Sequence, residues 1–223
     1  MSSTTSNGIS GGPDGHDQPG GASRRDFLGL VTAAFAAVGT AAFAWTLIDS
    51  MNPAADVIAA GAPMDIDISK LEPGQQIVVR WRGMPILLVN RTPAMIATLQ
   101  NKVDVARLAD PDSNVNQQPP YAKNWHRSVH PELAVLVGIC THLGCLPEYF
   151  PKPDPSQPVE NWPGGYFCPC HGSKYDLAGR VYKNVPAPDN LPVPPYEFVN
   201  PKTVRIGQNP TGVSFTLGEV VQL

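Results

Sequence analysis

The chain has 223 residues and a formal net charge of −3, and 42% of its residues are hydrophobic but only 16% are charged. This balance excludes a chain that is disordered throughout, and it carries no sign of the basic patch that a nucleic-acid partner requires. We therefore expect one globular domain with appendages. The 25 prolines and 20 glycines favour short strands joined by turns over a helical bundle.

The N-terminal region predicts a membrane address. Residues 1–22 are rich in Gly, Ser, Thr, Asp and Pro, which predicts a disordered tail. The next segment, Ser23-Arg24-Arg25-Asp26-Phe27-Leu28, resembles a bacterial twin-arginine export signal. Phe27 to Ile48 carry no charge, and as a helix they span about 33 Å, enough for a bilayer core of ~30 Å. Residues 23–48 are thus expected to be a signal and a transmembrane anchor.

A cleaved signal peptide is the alternative, because Ala42-Phe43-Ala44 loosely resembles a cleavage site. The apolar run is too long for a typical cleaved signal, which favours a retained anchor. The arginine pair precedes this run and Asp49 follows it, so the N-terminus is expected in the cytoplasm and the rest in the periplasm. Residues 49–63, Ala-rich and interrupted by Pro, predict a flexible hinge. The expected location is the bacterial inner membrane, with a single pass.

The remaining residues, 64–223, predict an all-β domain built as an antiparallel β-sandwich, because short apolar segments alternate with turn residues. One short helix is expected at Ala94–Leu99. Residues 100–131 predict a long loop wrapped around the domain, and Tyr149–Pro163 predict a surface insertion. The expected strands are Gln76–Arg82, Pro85–Asn90, Ala134–Ile139, Gly165–Phe167, Tyr196–Val199, Thr203–Ile206 and Val213–Leu217.

All four cysteines lie in two short segments, Cys140-Thr-His142-Leu-Gly-Cys145 and Cys168-Pro-Cys170-His171-Gly-Ser173. Each segment offers one thiolate and one imidazole at a fixed offset. This mixture is expected when one iron takes both thiolates and the other takes both imidazoles, the ligand set of a Rieske centre. A structural zinc site is an alternative, but zinc motifs usually pair like ligands. Two plain disulfides are another, but they leave both histidines without a reason.

With these segments, the anchor and the hinge, the chain resembles the Rieske iron–sulfur subunits of bacterial cytochrome bc1 complexes, the ubiquinol–cytochrome c reductases. The resemblance implies one 2Fe–2S cluster per chain, held in a cluster-binding part at about residues 138–190 of the head. The ligands it implies are Cys140, His142, Cys168 and His171. It also implies a disulfide between Cys145 and Cys170, the two remaining cysteines.

The same resemblance implies further roles. The hydroxyls of Ser173 and Tyr175 would donate hydrogen bonds to a bridging sulfide and to a ligand thiolate, which raises the reduction potential. Tyr175 as a plain core residue is the alternative. Val185-Pro186-Ala187-Pro188 resembles a proline loop that covers the cluster, with Val185 where the family commonly has Gly. Leu143 and Pro186 would line a quinol-docking surface, although Leu143 could instead pack within its loop.

The function implied is that of an oxidoreductase and translocase subunit of the respiratory chain. His171, or else His142, would meet ubiquinol at the cytochrome b subunit and take up an electron and a proton. The head would then pass the electron to cytochrome c1 within a dimeric complex, in support of respiratory proton translocation. The alternatives are the Rieske small subunit of an arsenite oxidase and a free, membrane-anchored Rieske electron carrier.

Overall fold

The computed structural model describes residues 23–54, 61–153 and 162–220. The chain divides after Pro53 into an N-terminal unit and a larger head unit. The predicted tail at 1–22 lies outside the described residues, and so do residues 55–60 of the predicted hinge and 154–161 of the predicted insertion.

The N-terminal unit is one helix, α1, at Arg24–Asp49. Its first turn is closed by a capping box, in which Ser23 Oγ accepts from the Asp26 amide (3.2 Å) and the Asp26 carboxylate accepts from the Ser23 amide (3.1 Å). The helix has 26 residues and a mean hydropathy of 1.9 over its most apolar window. Among the described residues it is the one helix long and apolar enough to cross a membrane, which confirms the predicted N-terminal apolar helix.

The head unit is built from short antiparallel strands, as predicted. Nine strands lie in its described part, and they form three sheets of three, ordered β1-β9-β8, β2-β3-β4 and β5-β6-β7. The strands are β1 Met64–Asp67, β2 Gln76–Trp81, β3 Met84–Asn90, β4 Leu133–Val137, β5 Glu148–Phe150, β6 Gly165–Phe167, β7 Lys174–Tyr175, β8 Tyr196–Asn200 and β9 Thr203–Ile206.

The second sheet supplies the centre of the core. The predicted hairpin of β2 and β3 is confirmed, and it turns at Arg82 and Gly83, which both have positive φ (50° and 76°). Such a pair of left-handed residues matches the twist of the flanking strands. Strand β3 then pairs with β4, and Leu133–Val137 are buried on both faces of the sheet. Strand β4 ends at Val137, three residues before Cys140, which is itself buried at the edge of this core.

Two short helices follow β3. The predicted helix is confirmed as α2, Pro93–Thr98, and a further helix, α3, occupies Lys102–Ala106 within the predicted loop. The rest of residues 107–131 is irregular apart from a 3₁₀ turn at Pro120–Ala122. This segment does more than wrap the surface, because it buries Ser113 and Arg127 completely.

Two predictions about the head are wrong. Val213–Leu217 form no strand: Phe215 and Leu217 do point into the core, but the Phe215 carbonyl accepts from the Asn209 side chain (2.8 Å) rather than from a neighbouring strand. Leu217 begins a 3₁₀ turn, Leu217–Glu219, so the apolar alternation marked which side chains are buried and not a strand. The predicted surface insertion fails at both ends, because Phe150 lies in β5 and Trp162 packs on it with only 2% of its surface exposed.

Candidate metal centre

The first cysteine loop begins where β4 ends. The Cys140 amide donates to the Cys145 carbonyl (2.8 Å), and the Gly144 amide donates back to the Cys140 carbonyl (2.9 Å). Gly144 has φ +82°, a conformation that costs glycine nothing. These bonds close Cys140–Cys145 into a tight loop that carries both Cys140 and His142.

The second loop follows β6 and repeats this design. The Cys168 amide donates to the Ser173 carbonyl (2.8 Å), and the Gly172 amide donates to the Cys168 carbonyl (2.9 Å). Gly172 has φ +80°. The two loops are thus near copies in their backbone bonding, with the ligand candidate His171 three residues after its cysteine instead of two.

A disulfide joins the two loops. Cys145 and Cys170 are bonded, with their Cα atoms 6.7 Å apart, which confirms the pairing that the resemblance implied. The Cys168 Sγ lies within 4.8 Å of both disulfide sulfurs. Those three sulfurs do not form a metal site, since two of them are already bonded to each other and only Cys168 keeps a thiol.

The free cysteines, Cys140 and Cys168, are 2% and 1% exposed. Burial, and then the neighbouring Cys140 side chain, raise the pKa of the Cys168 thiol above its ordinary value. The protein alone therefore does not favour a pair of thiolates here. A bound cation would supply the positive charge that deprotonates both.

The two histidines face each other across the loops. The ring centroids of His142 and His171 are 4.7 Å apart, with the planes at 88°. His142 is half-buried, and its Nδ1 is buried without a hydrogen-bond partner in the described part of the chain, whereas His171 is exposed. A buried, unpartnered imidazole nitrogen is costly unless it binds something, and histidine is the commonest metal ligand among the side chains.

These observations fit a Rieske cluster. The two joined loops each carry one buried free thiol and one imidazole, the two imidazoles face each other, and the protein itself leaves one imidazole nitrogen without a partner. Two sulfur and two nitrogen donors are the set by which a Rieske centre differs from an all-cysteine cluster.

Tyr175 lies against the first loop from β7. Its hydroxyl oxygen is 3.2 Å from Cys140 Sγ and 3.1 Å from Thr141 Oγ1, and it accepts from the Thr141 amide (3.2 Å). Burial, and then the bond to Cys140, raise the pKa of Tyr175 well above its ordinary value, so the phenol keeps its proton as a donor. Thr141 escaped the sequence analysis, and it fixes this geometry because its own hydroxyl donates to the Asp189 carbonyl (2.7 Å).

The proline loop meets the second cysteine loop. Ser173 is fully buried, and its Oγ accepts from the Ala187 amide (3.0 Å), which leaves the hydroxyl proton available to another acceptor. Pro186 is exposed beside the buried Ala187. Val185 has an ordinary negative φ, so a valine where the family commonly has glycine causes no strain.

Exposed apolar side chains also lie on the first cysteine loop. Leu143 is 71% exposed, so it does not pack within its loop, and Leu146 is 52% exposed. The sequence analysis named Leu143 but not Leu146, because a leucine between Cys145 and a proline gives no sign of whether it faces the core.

Comparison with known proteins places both parts of the chain. Residues 15–54 match the family model "Ubiquitinol-cytochrome C reductase Fe-S subunit TAT signal", and residues 64–196 match the model "Rieske [2Fe-2S] domain". The "Ubiquinol-cytochrome c reductase iron-sulfur subunit" of Allochromatium vinosum is 49% identical over 186 residues, which are 83% of this chain and 89% of that protein. The protein of the same name from Blastochloris viridis is 48% identical over 186 residues, 83% of this chain and 93% of its own length.

Among solved structures, a chain of "Hyperthermophilic respiratory Complex III" aligns with a TM-score of 0.43 and 24% identity, over 79% of this chain and 98% of that one. The sequence matches alone determine the family, since they cover the apolar helix and the head. They do not favour an arsenite oxidase. The chain belongs to the family of Rieske [2Fe–2S] iron–sulfur subunits of bacterial ubiquinol–cytochrome c reductase.

Proposed function

We propose that this chain, as the iron–sulfur subunit of a ubiquinol–cytochrome c reductase, takes one electron and one proton from ubiquinol at a cytochrome b subunit and passes the electron to cytochrome c1. The observation that carries the proposal is the exposed imidazole of His171, which lies 4.7 Å from the ring of His142. A redox site whose ligand edge is accessible can meet a substrate directly.

The residues that would hold the cofactor are Cys140, His142, Cys168 and His171. A bound 2Fe–2S cluster would supply a one-electron acceptor and a positive charge beside the imidazoles. Cys140 and Cys168 are at most 2% exposed, so water has little access to their sulfur atoms. The unpartnered Nδ1 of His142 would be the nitrogen that this ring offers to iron.

The proton is taken by the outer ring nitrogen of His171. That nitrogen can accept a hydrogen bond from the quinol hydroxyl and then hold the proton when the electron leaves the quinol. His171 is the better candidate of the two because it is exposed, whereas His142 is half-buried. The Tyr175 hydroxyl lies 3.2 Å from Cys140 Sγ, and Ser173 Oγ accepts from the Ala187 amide and keeps its own proton free. Both hydroxyl protons would be donated toward the cluster, which would raise its reduction potential.

The exposed apolar residues around the histidines suit a docking surface for the quinol and its site on cytochrome b. We assign Leu143 and Pro186 to this surface, and Leu146 extends it. Leu143→Ser, which removes the apolar side chain without adding a charge, is expected to slow quinol oxidation and leave the reduction potential unchanged. Val103→Ser is the matched control, because Val103 is also 71% exposed but lies on α3, and it is expected to leave turnover unchanged. Equal loss in both variants would contradict the docking role.

The N-terminal helix anchors the protein in the bacterial inner membrane, with the head in the periplasm and residues 49–63 as a flexible hinge. The arginine pair before the apolar run supports this orientation. Added prolines within 49–63 are expected to slow turnover without changing the spectrum of the cluster, and the same number of added serines is expected to change neither. Full turnover in the proline variant would argue against a mobile head.

Purification of the full chain from membranes by a tag tests the assembly. The expected result is haem b and haem c absorbance in the same complex, the mass of a dimer, and quinol-dependent reduction of cytochrome c. A co-purified molybdenum protein would support an arsenite oxidase, and a chain without partners would support a free carrier; either overturns the proposal. Low-temperature EPR of the reduced protein should give a low average g value. EPR silence with zinc on elemental analysis would refute the cluster.

A further inference from the structure

A tight turn, Asp176–Arg180, follows Tyr175 directly. Tyr175 and Val181 pair across its base, and the Asp176 carboxylate accepts from the amides of Ala178 (2.9 Å) and Arg180 (2.8 Å). Arg180 returns to the same carboxylate at 2.7 Å. The turn is therefore closed by hydrogen bonds between its own residues. Because Tyr175 directly precedes it, the position of the turn determines where the Tyr175 ring lies.

The carbonyls in the middle of this turn are held from outside the cluster loops. Arg127 Nη1 donates to the carbonyls of Ala178 (3.1 Å) and Gly179 (3.3 Å), and its Nη2 donates to Gln118 Oε1 (2.9 Å). Arg91 adds a longer bond to the Leu177 carbonyl (3.5 Å). Arg127 and Gln118 belong to the irregular segment between α3 and β4.

This arrangement is expensive for the fold. Arg127 is completely buried, and burial lowers its pKa to about 9, which still leaves it charged at neutral pH. The carboxylate that most favours the charged form of Arg127, that of Asp176, is already paired with Arg180. A buried cation without a counter-ion of its own costs several kcal/mol. A fully apolar contact would hold the turn in the core at lower cost, but it would not bind the three separate acceptors on Ala178, Gly179 and Gln118.

We propose that Arg127 is a positioning residue for the cluster. Its planar fork holds Ala178 and Gly179 against Gln118, and this fixes the turn that aims the Tyr175 hydroxyl at Cys140 Sγ, 3.2 Å away. The inference rests on the potential-raising role proposed for Tyr175. It gives the segment at 107–131 a part in setting the reduction potential, although this segment contains none of the residues of the two cysteine loops.

The test is to measure the reduction potential of the full-length protein with its cluster bound. The wild type, the single variants Arg127→Lys and Tyr175→Phe, and the double variant are compared. Arg127→Lys keeps a long side chain that ends in a nitrogen donor and loses the fork. The potential is expected to fall in each single variant, and Arg127→Lys is expected to add little in the Tyr175→Phe background. The milder Gln118→Leu removes one anchor of the fork and is expected to give a smaller fall, which keeps the test valid if Arg127→Lys does not fold.

The control is Arg205→Lys, the same change at a partly exposed arginine that pairs with Asp65 on another sheet, and its potential is expected to be that of the wild type. An Arg127→Lys protein with reduced stability but an unchanged potential would overturn the inference and leave the role of Tyr175 intact. An equal fall with and without Tyr175 would overturn it as well. If Tyr175→Phe alone does not move the potential, the proposed role of Tyr175 fails and the inference fails with it.

Discussion

The buried hydroxyl of Ser173 accepts a hydrogen bond of 3.0 Å from the Ala187 amide, and this bond ties the second cysteine loop to the proline loop. Ser173 is fully buried and Ala187 is 4% exposed, so neither group has water as a substitute partner. One side chain thus serves both the fold of the loops and, through its free proton, the redox site.

Ser173→Ala is expected to have two effects. The reduction potential should fall, on the order of 60 mV for a tenfold change in the redox equilibrium, because a donor to the reduced cluster is lost. The unfolding free energy should fall by about 1–3 kcal/mol, because the Ala187 amide is left buried and unpaired. Protein-film voltammetry and denaturant titration measure the two effects separately.

Ser113→Ala provides the control. Ser113 is equally buried, and its hydroxyl accepts from the Asn190 side chain at 3.4 Å, away from the cysteine loops. It should lower stability and leave the potential unchanged. A Ser173→Ala protein that behaves in the same way would refute the tuning role of Ser173.

Removal of the disulfide by the double substitution Cys145→Ser and Cys170→Ser is expected to lower the unfolding free energy by about 3.5 kcal/mol, since the bond closes a loop with a sequence separation of 25 residues. Both free cysteines and both histidines remain in this variant. Thermal unfolding checks the expectation, and the wild type under reducing conditions should reproduce the loss. An unchanged melting temperature would mean that the backbone bonds of the two loops suffice without the disulfide.

Features of the fold and the site that depend on residues close together in the chain could be predicted from the sequence. The Cys-x-His and Cys-x-x-His spacings lie within six residues each, and the alternation of Gln76–Arg82 followed by a turn predicted the hairpin. The disulfide partners came only from family resemblance, because spacing does not determine connectivity. The contact of Arg127 with Gly179 joins residues 52 apart and depends on the tertiary fold, so no local pattern announces it. Val213–Leu217 were mistaken for a strand because alternation reports burial, not pairing.

Gly165 is expected to be among the least replaceable residues near the site. It opens β6 with φ +138°, and a Cβ built there would overlap the carbonyl oxygen of Tyr175. Gly165→Ala should therefore push β6 and β7 apart, lower stability by more than about 2 kcal/mol, and reduce the cluster content per chain. Gly212→Ala is the matched control: its φ is +85° but the space around it is open, so only about 1 kcal/mol of backbone strain is expected. Cluster absorbance per protein and melting temperature distinguish the two variants. Similar losses in both would contradict the steric argument for Gly165.

His126 is expected to make the head less stable at mildly acidic pH. The residue is 9% exposed, its Nδ1 lies 2.8 Å from Ser128 Oγ, and the charged Arg91 donates to its carbonyl. Burial first, and the charge of Arg91 second, lower the pKa of His126 from 6.5 to about 4. Between those two values the unfolded chain binds a proton that the folded chain refuses, so the unfolding free energy falls as the pH falls from 6.5 toward 4.

The variant His126→Gln isolates this contribution, because glutamine keeps a polar side chain beside Ser128 but does not titrate. The neighbouring His130 and Glu132 are present in both proteins. Denaturant titrations at neutral pH and near pH 4 should show the wild type losing on the order of 2 kcal/mol more than the variant. The difference should be complete near pH 4, because below the folded-state pKa both states of the wild type carry the proton. Parallel pH profiles for the two proteins would show that the His126 ring is protonated as easily in the folded head as in the unfolded chain.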